Sequence, residues 1–263
     1  MSKSGLYLLL AISVLFSSCI PTKDLTYLQK KEGGEQGAVI AEVESKPYRI
    51  QTNDVLSITI KAIDPKLVAI FNPTNDAESA GKSESELYFD GFTVDDHGNI
   101  RVPILGEVNV IGYTVEEVRI KLEKQLLAEY FKSEANIFVT VKLAGFRYTI
   151  NGEIAAPGTK TLFQDHVTIM EAIANSGDIT MTGNRKAVTV IRKSPTGVQM
   201  HDLDLTDINV MQSPYYYLQP NDYVYVKPLK QKSWGTGKTG LESLTTIITL
   251  LSLVTTTFIL LKN

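Results

Sequence analysis

Three clusters of residues have the types and spacing to do chemistry. Asp95-Asp96-His97 sets two carboxylates beside an imidazole, the ingredients of a metal site or an acid/base pair. Asn151-Gly152-Glu153, with Pro157-Gly158 after it, could offer polar groups to a ligand. Tyr215-Tyr216-Tyr217, with Tyr223 and Tyr225, bring ring faces on which a ligand could stack. Each has a plainer reading. Asp, His, Gly and Asn between two apolar runs are turn residues, and no further ligand lies nearby in sequence. Turn geometry also accounts for Asn151-Gly152-Glu153 and Pro157-Gly158. Tyrosines at alternating strand positions belong to a core or an interface. The histidines (His97, His166, His201) stand far apart, and one cysteine, Cys19, can build neither an internal disulfide nor a zinc cage. With no phosphate loop, nucleophile elbow or Cys–His pairing, the chain reads as a non-enzyme without metal or cofactor.

Composition narrows the partners. With 26 basic and 29 acidic residues the net charge is −3, and no long basic run argues for nucleic acid. A chain of 263 residues, 43% hydrophobic, can build one large core or two of average size.

The two ends carry almost no charge. Met1-Ser2-Lys3 precedes an apolar run from Leu6 to Phe16, then Ser17-Ser18-Cys19: a basic start, a short apolar region and small residues before a cut site. The run is too short to span a bilayer, which needs roughly 20 residues. Small residues directly before a Cys resemble the lipobox of bacterial lipoproteins, although Phe16 stands where Leu is usual. The resemblance implies cleavage after residue 18 and acylation of Cys19, a covalent lipid rather than a cofactor. Several acyl chains are needed for a firm anchor. Residue 20 is Ile rather than the Asp that retains enteric lipoproteins in the inner membrane, which implies an outer-membrane destination. Residues 19–46, with Gly33-Gly34 and scattered charge, read as a tether.

At the other end, Ser243 to Leu261 is uncharged. Nineteen helical residues at ~1.5 Å each reach roughly 28 Å, about a hydrocarbon core. Thr245, Thr249, Ser252 and Thr256 form a hydroxyl row, opposite a stripe of Leu244, Ile247, Leu251, Val254, Phe258 and Leu261. Such a helix suits a membrane ring in which hydroxyls meet neighbours or a wet lumen. A single-pass anchor and a helix buried in the fold are the alternatives.

The elements between the ends are short strands and two helices. A turn at Asn53-Asp54 precedes an alternating strand to Ile60. Residues 64–90 form a polar loop. Phe92 to Val110 reads as a hairpin turning at Asp96-His97-Gly98-Asn99. Thr114 and Glu117 open one helix as a capping box, and Thr168 with Glu171 opens another. Asn221-Asp222 then repeats the turn-then-strand pattern of Asn53-Asp54.

Residues 47–143, marked by Tyr48-Arg-Ile-Gln-Thr-Asn-Asp-Val-Leu56, Val94-Asp-Asp-His-Gly-Asn-Ile-Arg-Val-Pro-Ile-Leu-Gly-Glu-Val108 and Gly112-Tyr-Thr-Val-Glu-Glu117, resemble the polysaccharide biosynthesis/export domain. Residues 147–228, marked by Asn151-Gly-Glu-Ile-Ala-Ala-Pro-Gly158, Thr168 to Gly177 and Leu218-Gln-Pro-Asn-Asp-Tyr-Val-Tyr-Val226, resemble the soluble-ligand-binding β-grasp domain. The whole is similar to outer-membrane polysaccharide export lipoproteins of the capsule translocon class, with one β-grasp copy where the enteric translocon has more.

The expected fold is therefore α+β. A signal peptide (1–18) and lipidated tether (19–46) precede a small mixed α/β export domain (47–144). A β-grasp domain (145–228), a linker (229–241) and a transmembrane amphipathic helix (242–262) follow. The resemblance implies a homo-oligomeric ring, commonly an octamer, that conducts capsular polysaccharide or exopolysaccharide. It implies an inner-membrane polysaccharide copolymerase as partner, and membrane lipid around the helix. A membrane-anchored periplasmic module that binds or senses a saccharide, without a pore, is the competing expectation.

Overall fold

The computed structural model describes residues 20–30, 46–72, 90–131, 136–194, 197–230, 232, 245 and 247–256. Cys19, the apolar run before it and most of the polar loop lie outside the described residues. The backbone forms two compact units that no single cut separates. One comprises Glu44–Arg147 with Thr161–Val167, and the other Met1–Val43, Tyr148–Lys160 and Thr168–Asn263.

In the first unit, β1 (Val55–Lys61) lies between β2 (Phe92–Thr93) and β5 (Phe138–Leu143), antiparallel to both. Its alternation buries Leu56, Ile58 and Ile60 on one face. Helix α1 (Val115–Glu129) lays Val118, Leu122 and Leu126 into the same core, each with no exposed surface. Burying each such side chain contributes about 2 kcal/mol. The helix starts where the sequence places it. The Thr114 hydroxyl accepts from the Glu117 amide, and the Glu117 carboxylate accepts from the Thr114 amide.

The hairpin differs from its sequence reading. β3 (Asn99–Val102) pairs with β4 (Gly106–Asn109), reversing at residues 103–105, while β2 pairs with β1 in another sheet. Asp96-His97-Gly98-Asn99 thus connects two sheets instead of two partner strands. The true reversal carries no local turn signal, because Ile104 adopts φ +70°, a left-handed conformation that a β-branched residue rarely takes.

The second unit is a five-stranded sheet in the order β7 (Gly158–Leu162), β6 (Phe146–Gly152), β10 (Tyr223–Pro228), β8 (Gly183–Ser194), β9 (Gly197–Leu203). Its first and last strands in sequence, β6 and β10, lie parallel at the centre, and helix α2 (Ile169–Asn175) falls between β7 and β8. That is a β-grasp arrangement. Ile150, Val188, Val190, Val224 and Val226 face inward with Ile169, Ala172 and Ile173 of α2. Tyr148 is fully buried but satisfied, donating to the Ala172 carbonyl at 3.0 Å.

The repeated Asn-Asp turn is real in both units. Asn53 and Asn221 each adopt φ 67°. The aspartate after each accepts from the amide three residues earlier: Gln51 to Asp54 at 2.8 Å, Gln219 to Asp222 at 2.7 Å. The remaining partners differ: Asp54 accepts from the Tyr48 hydroxyl, and Asp222 from both Nε and Nη2 of Arg192.

Within the stretch read as a tether, residues 20–30 lie against this second unit, while 31–45 fall outside the described residues. A single helical turn, Thr22–Leu25, leads into backbone bonds from the Leu28 and Gln29 amides to the Leu205 and Thr206 carbonyls. At the far end, residues 247–256 form helix α3. The rest of the expected 242–262 span, apart from residue 245, lies outside the described residues. Among the described residues no helix is long and apolar enough to cross a membrane.

Candidate functional site

The face of the β-grasp sheet away from α2 gathers groups that sequence distance keeps apart. Register places Tyr223 beside Thr149 and Ile191, and Tyr225 beside Asn151 and Thr189. Period-2 alternation turns Val224 and Val226 inward, so Tyr223, Tyr225 and Lys227 must face outward. Tyr225 is 36% exposed. Asn151 donates to the Tyr223 hydroxyl at 3.1 Å, and the Thr149 and Thr159 hydroxyls meet at 3.0 Å. Beside them Asp202 accepts from Thr189 at 2.5 Å and Lys227 at 2.6 Å, and the Lys227 ammonium, then the Thr189 hydroxyl, hold its carboxyl below the usual range. The face combines ring surfaces with hydroxyl and amide groups, a chemistry that contacts sugars without a nucleophile. Of the plainer reading of Tyr223 and Tyr225, a core or an interface, the outward orientation leaves the interface.

Tyr215-Tyr216-Tyr217 lies in a turn, not a strand, and its members part company. Tyr216 is buried, edge-on to Tyr217. Tyr215 stacks on His201 with centroids 4.6 Å apart, under the Arg192 guanidinium at 4.9 Å, and donates to Gln199. Asp95-Asp96-His97 is a turn. Asp95 Oδ1 accepts from the amides of His97 (2.9 Å) and Asn99 (2.8 Å), and all three side chains are exposed. No group of three metal-ligating side chains occurs among the described residues.

Asn151-Gly152-Glu153 does more than turn the chain. Gly152 has φ +95° and runs beside β10 so closely that a Cβ would strike the Val226 carbonyl. Glu153 reaches the loop before β8: one carboxylate oxygen accepts from Thr180 (3.0 Å) and Thr182 (2.6 Å), the other from Lys232. Those donors, Lys232 foremost, pull its carboxyl below the ordinary range. The Leu229 amide donates to the Thr182 carbonyl, so the start of the C-terminal linker is fastened to the same loop. A second fastening joins the N-terminal segment. Tyr27 donates to Asp178, Asp24 pairs with Lys186 at 2.6 Å, and Arg185 lies 5.2 Å from the Tyr27 ring centre. Burial, then the Asp178 hydrogen bond, pushes the Tyr27 phenol up to about 12. Buried Arg185 donates to the Ile179 and Thr180 carbonyls; its Nε has no hydrogen bond among the described residues, and the ring of Tyr27 is the group set against this cation. Sequence reading missed both fastenings, because Lys232 and Tyr27 sit in stretches without periodicity.

In α3 the predicted hydroxyl row satisfies itself. Thr249 donates to the Thr245 carbonyl, Ser252 to Thr249, and Thr256 to Ser252, at 2.7–2.9 Å. Each donor is thus paired within its own helix, which lowers the cost of placing the row in a low-dielectric setting. Ile248, Leu251 and Val254 stand exposed.

Comparison with known proteins agrees with these two units. The family model described as polysaccharide biosynthesis/export protein matches residues 42–143, and the SLBB domain model matches residues 147–226. The chain is similar to the EPS I polysaccharide export outer membrane protein EpsA of Ralstonia nicotianae, at 29% identity over 169 residues, 61% of this chain and 42% of that protein. To the protein of the same name from Ralstonia solanacearum it is 30% identical over 159 residues, 57% of this chain and 40% of that one. The matched region thus covers about two-fifths of those relatives.

Proposed function

We propose that this chain is a polysaccharide export protein and not an enzyme, an outer-membrane lipoprotein whose subunits assemble into a conduit; the matches to the polysaccharide biosynthesis/export and SLBB domain models and the similarity to export outer membrane proteins support the reading. In this reading Cys19 carries the lipid, the two folded units form a periplasmic homo-oligomeric ring, and the tail helices (242–262) cross the outer membrane around a lumen. Capsular polysaccharide or exopolysaccharide passes through it, driven by an inner-membrane copolymerase. Conduction needs little chemistry: a wet passage whose groups hydrogen-bond sugars without trapping them.

The observation that carries the reading is the pairing of these two domains with a helix whose hydroxyls are satisfied internally. Largely exposed in one chain, α3 has Leu251 and Val254 for lipid or neighbours and Thr249, Ser252 and Thr256, with Thr245 ahead of it, for a lumen. Extraction in mild detergent followed by mass measurement tests the assembly. A discrete ring supports the conduit, and a monomer at all concentrations refutes it. Deleting residues 242–263 should abolish surface polysaccharide while leaving the periplasmic units folded. Loss of palmitate incorporation in Cys19→Ala tests the anchor.

The outward face with Tyr223, Tyr225 and Asn151 favours a second reading, an anchored module that captures a saccharide without a pore. It predicts a monomer or dimer that binds a short glycan and loses binding in Tyr225→Ala.

A further inference from the structure

We infer that Asp178–Arg185, the loop before β8 together with the first residues of that strand, is the membrane-facing end of the β-grasp domain, with Met181 meeting the phospholipid leaflet that holds the anchor; the inference rests on acylation of Cys19 and a membrane-directed tail.

The geometry comes from two fastenings on one loop. Asp178 and Arg185 hold Tyr27, and Lys186 just beyond holds Asp24. Thr180 and Thr182 hold Glu153, which holds Lys232, and the Thr182 carbonyl takes the Leu229 amide. The segment that follows Cys19 and the segment that leads to the tail therefore leave the domain beside the same eight residues. Reach decides the direction. Cys19 is five residues from Asp24, so it stands at most about 17 Å away along an extended chain. Strand β8 runs from Gly183, at this loop, to Ser194, at the hairpin with β9. At ~3.3 Å per residue that hairpin is roughly 25 Å or more beyond Lys186. A lipid on Cys19 is tethered close to the loop, and the hairpin lies at the far limit of its reach.

The loop's surface fits that partner. Met181 at its tip is 61% exposed, a flexible apolar side chain with no core to fill. On either side, the half-exposed Lys186 and Lys232 neutralise Asp24 and Glu153, which leaves Asp178, capped by the Tyr27 hydroxyl, as the loop's own carboxylate facing anionic headgroups.

A single-site label tests this. In the full-length lipoprotein an acylated Cys19 offers no thiol, so Met181→Cys and, separately, Val198→Cys each carry one fluorophore. Val198 is equally exposed, at 62%, but stands at the β8–β9 hairpin. Each protein is reconstituted into phosphatidylethanolamine/phosphatidylglycerol vesicles containing headgroup nitroxide lipid, and association is checked by flotation. The expected result is about twofold or greater quenching at 181 and little at 198, since interfacial contact reaches only ~5–10 Å into the surface. A protein that floats but is quenched at neither site, or more at 198, overturns the inference and leaves the anchored reading standing. A protein that does not float overturns both.

Discussion

Replacing Tyr27 by Phe removes one oxygen from the contact that holds the N-terminal segment. The phenol donates to Asp178, and its ring covers the Arg185 guanidinium at 5.2 Å. A hydrogen bond to an ionised acceptor contributes about 1.5–3 kcal/mol. Asp178 is exposed and keeps the Ile179 amide at 2.6 Å, so the low end, about 1.5 kcal/mol, applies. Tyr27→Ala also removes the ring from Arg185, adding about 1 kcal/mol for the cation–π contact and more for lost burial. The released unit is local: the Leu28 and Gln29 amides, bonded to Leu205 and Thr206 carbonyls, report its opening. Hydrogen exchange at those two amides should speed about tenfold in Tyr27→Phe and about a hundredfold in Tyr27→Ala, at 1.4 kcal/mol per tenfold. Amides in β8 and β10 should not change. The phenol gives a second readout. Its pKa is raised to about 12, so its contribution to stability is complete below the ordinary value of 10.0 and lost as pH rises through the folded value. Spectrophotometric titration should therefore lose a late-titrating tyrosine in Tyr27→Phe. Unchanged exchange at Leu28 and Gln29 in Tyr27→Ala would sink the reasoning, because the segment would then be held by its backbone bonds alone.

The other predictions test the scaffold around the candidate surfaces. Glu153→Gln should weaken the linker fastening in a pH-dependent way. The carboxyl of Glu153 is depressed, so its contribution is complete above the ordinary value of 4.5 and fades as pH falls through the folded value. Melting curves of wild type and variant should differ above that pH and converge in acid. Gly152→Ala should cost about 2–4 kcal/mol in urea unfolding, from φ +95° and the collision with the Val226 carbonyl. Arg192→Ala leaves Asp222, 1% exposed, without its cation and should cost about 3–5 kcal/mol. Asp95→Ala should cost about 1 kcal/mol through two lost turn bonds, whereas His97→Ala should change neither stability nor zinc binding, measured by calorimetry.

Local rules were legible in the sequence wherever the cause was local. Thr114 with Glu117 and Thr168 with Glu171 announced two helices because a capping box closes within four residues. Asn53-Asp54 and Asn221-Asp222 announced two turns, since an Asn tolerates φ 67° and an Asp bonds back three residues. Alternation placed Val224 and Val226 on one side of β10 and Tyr223 and Tyr225 on the other, but it could not say which side meets water. Strand partners were less legible. A tight turn at residues 96–99 looked like a hairpin, yet pairing is decided by which apolar faces close one core, and β2 found β1 instead.

What the sequence by itself determined is the two capping boxes, the two Asn-Asp turns, and an uncharged tail with its hydroxyl row. Each is set by residues a few positions apart. Only the tertiary structure joined Tyr27 to Asp178 and Arg185, Glu153 to Thr180, Thr182 and Lys232, and Asn151 to Tyr223. Those contacts span from 27 positions, Glu153 to Thr180, to 158, Tyr27 to Arg185. No period or spacing rule encodes them, because they exist once the central parallel pair β6 and β10 has brought distant segments to one end of one sheet.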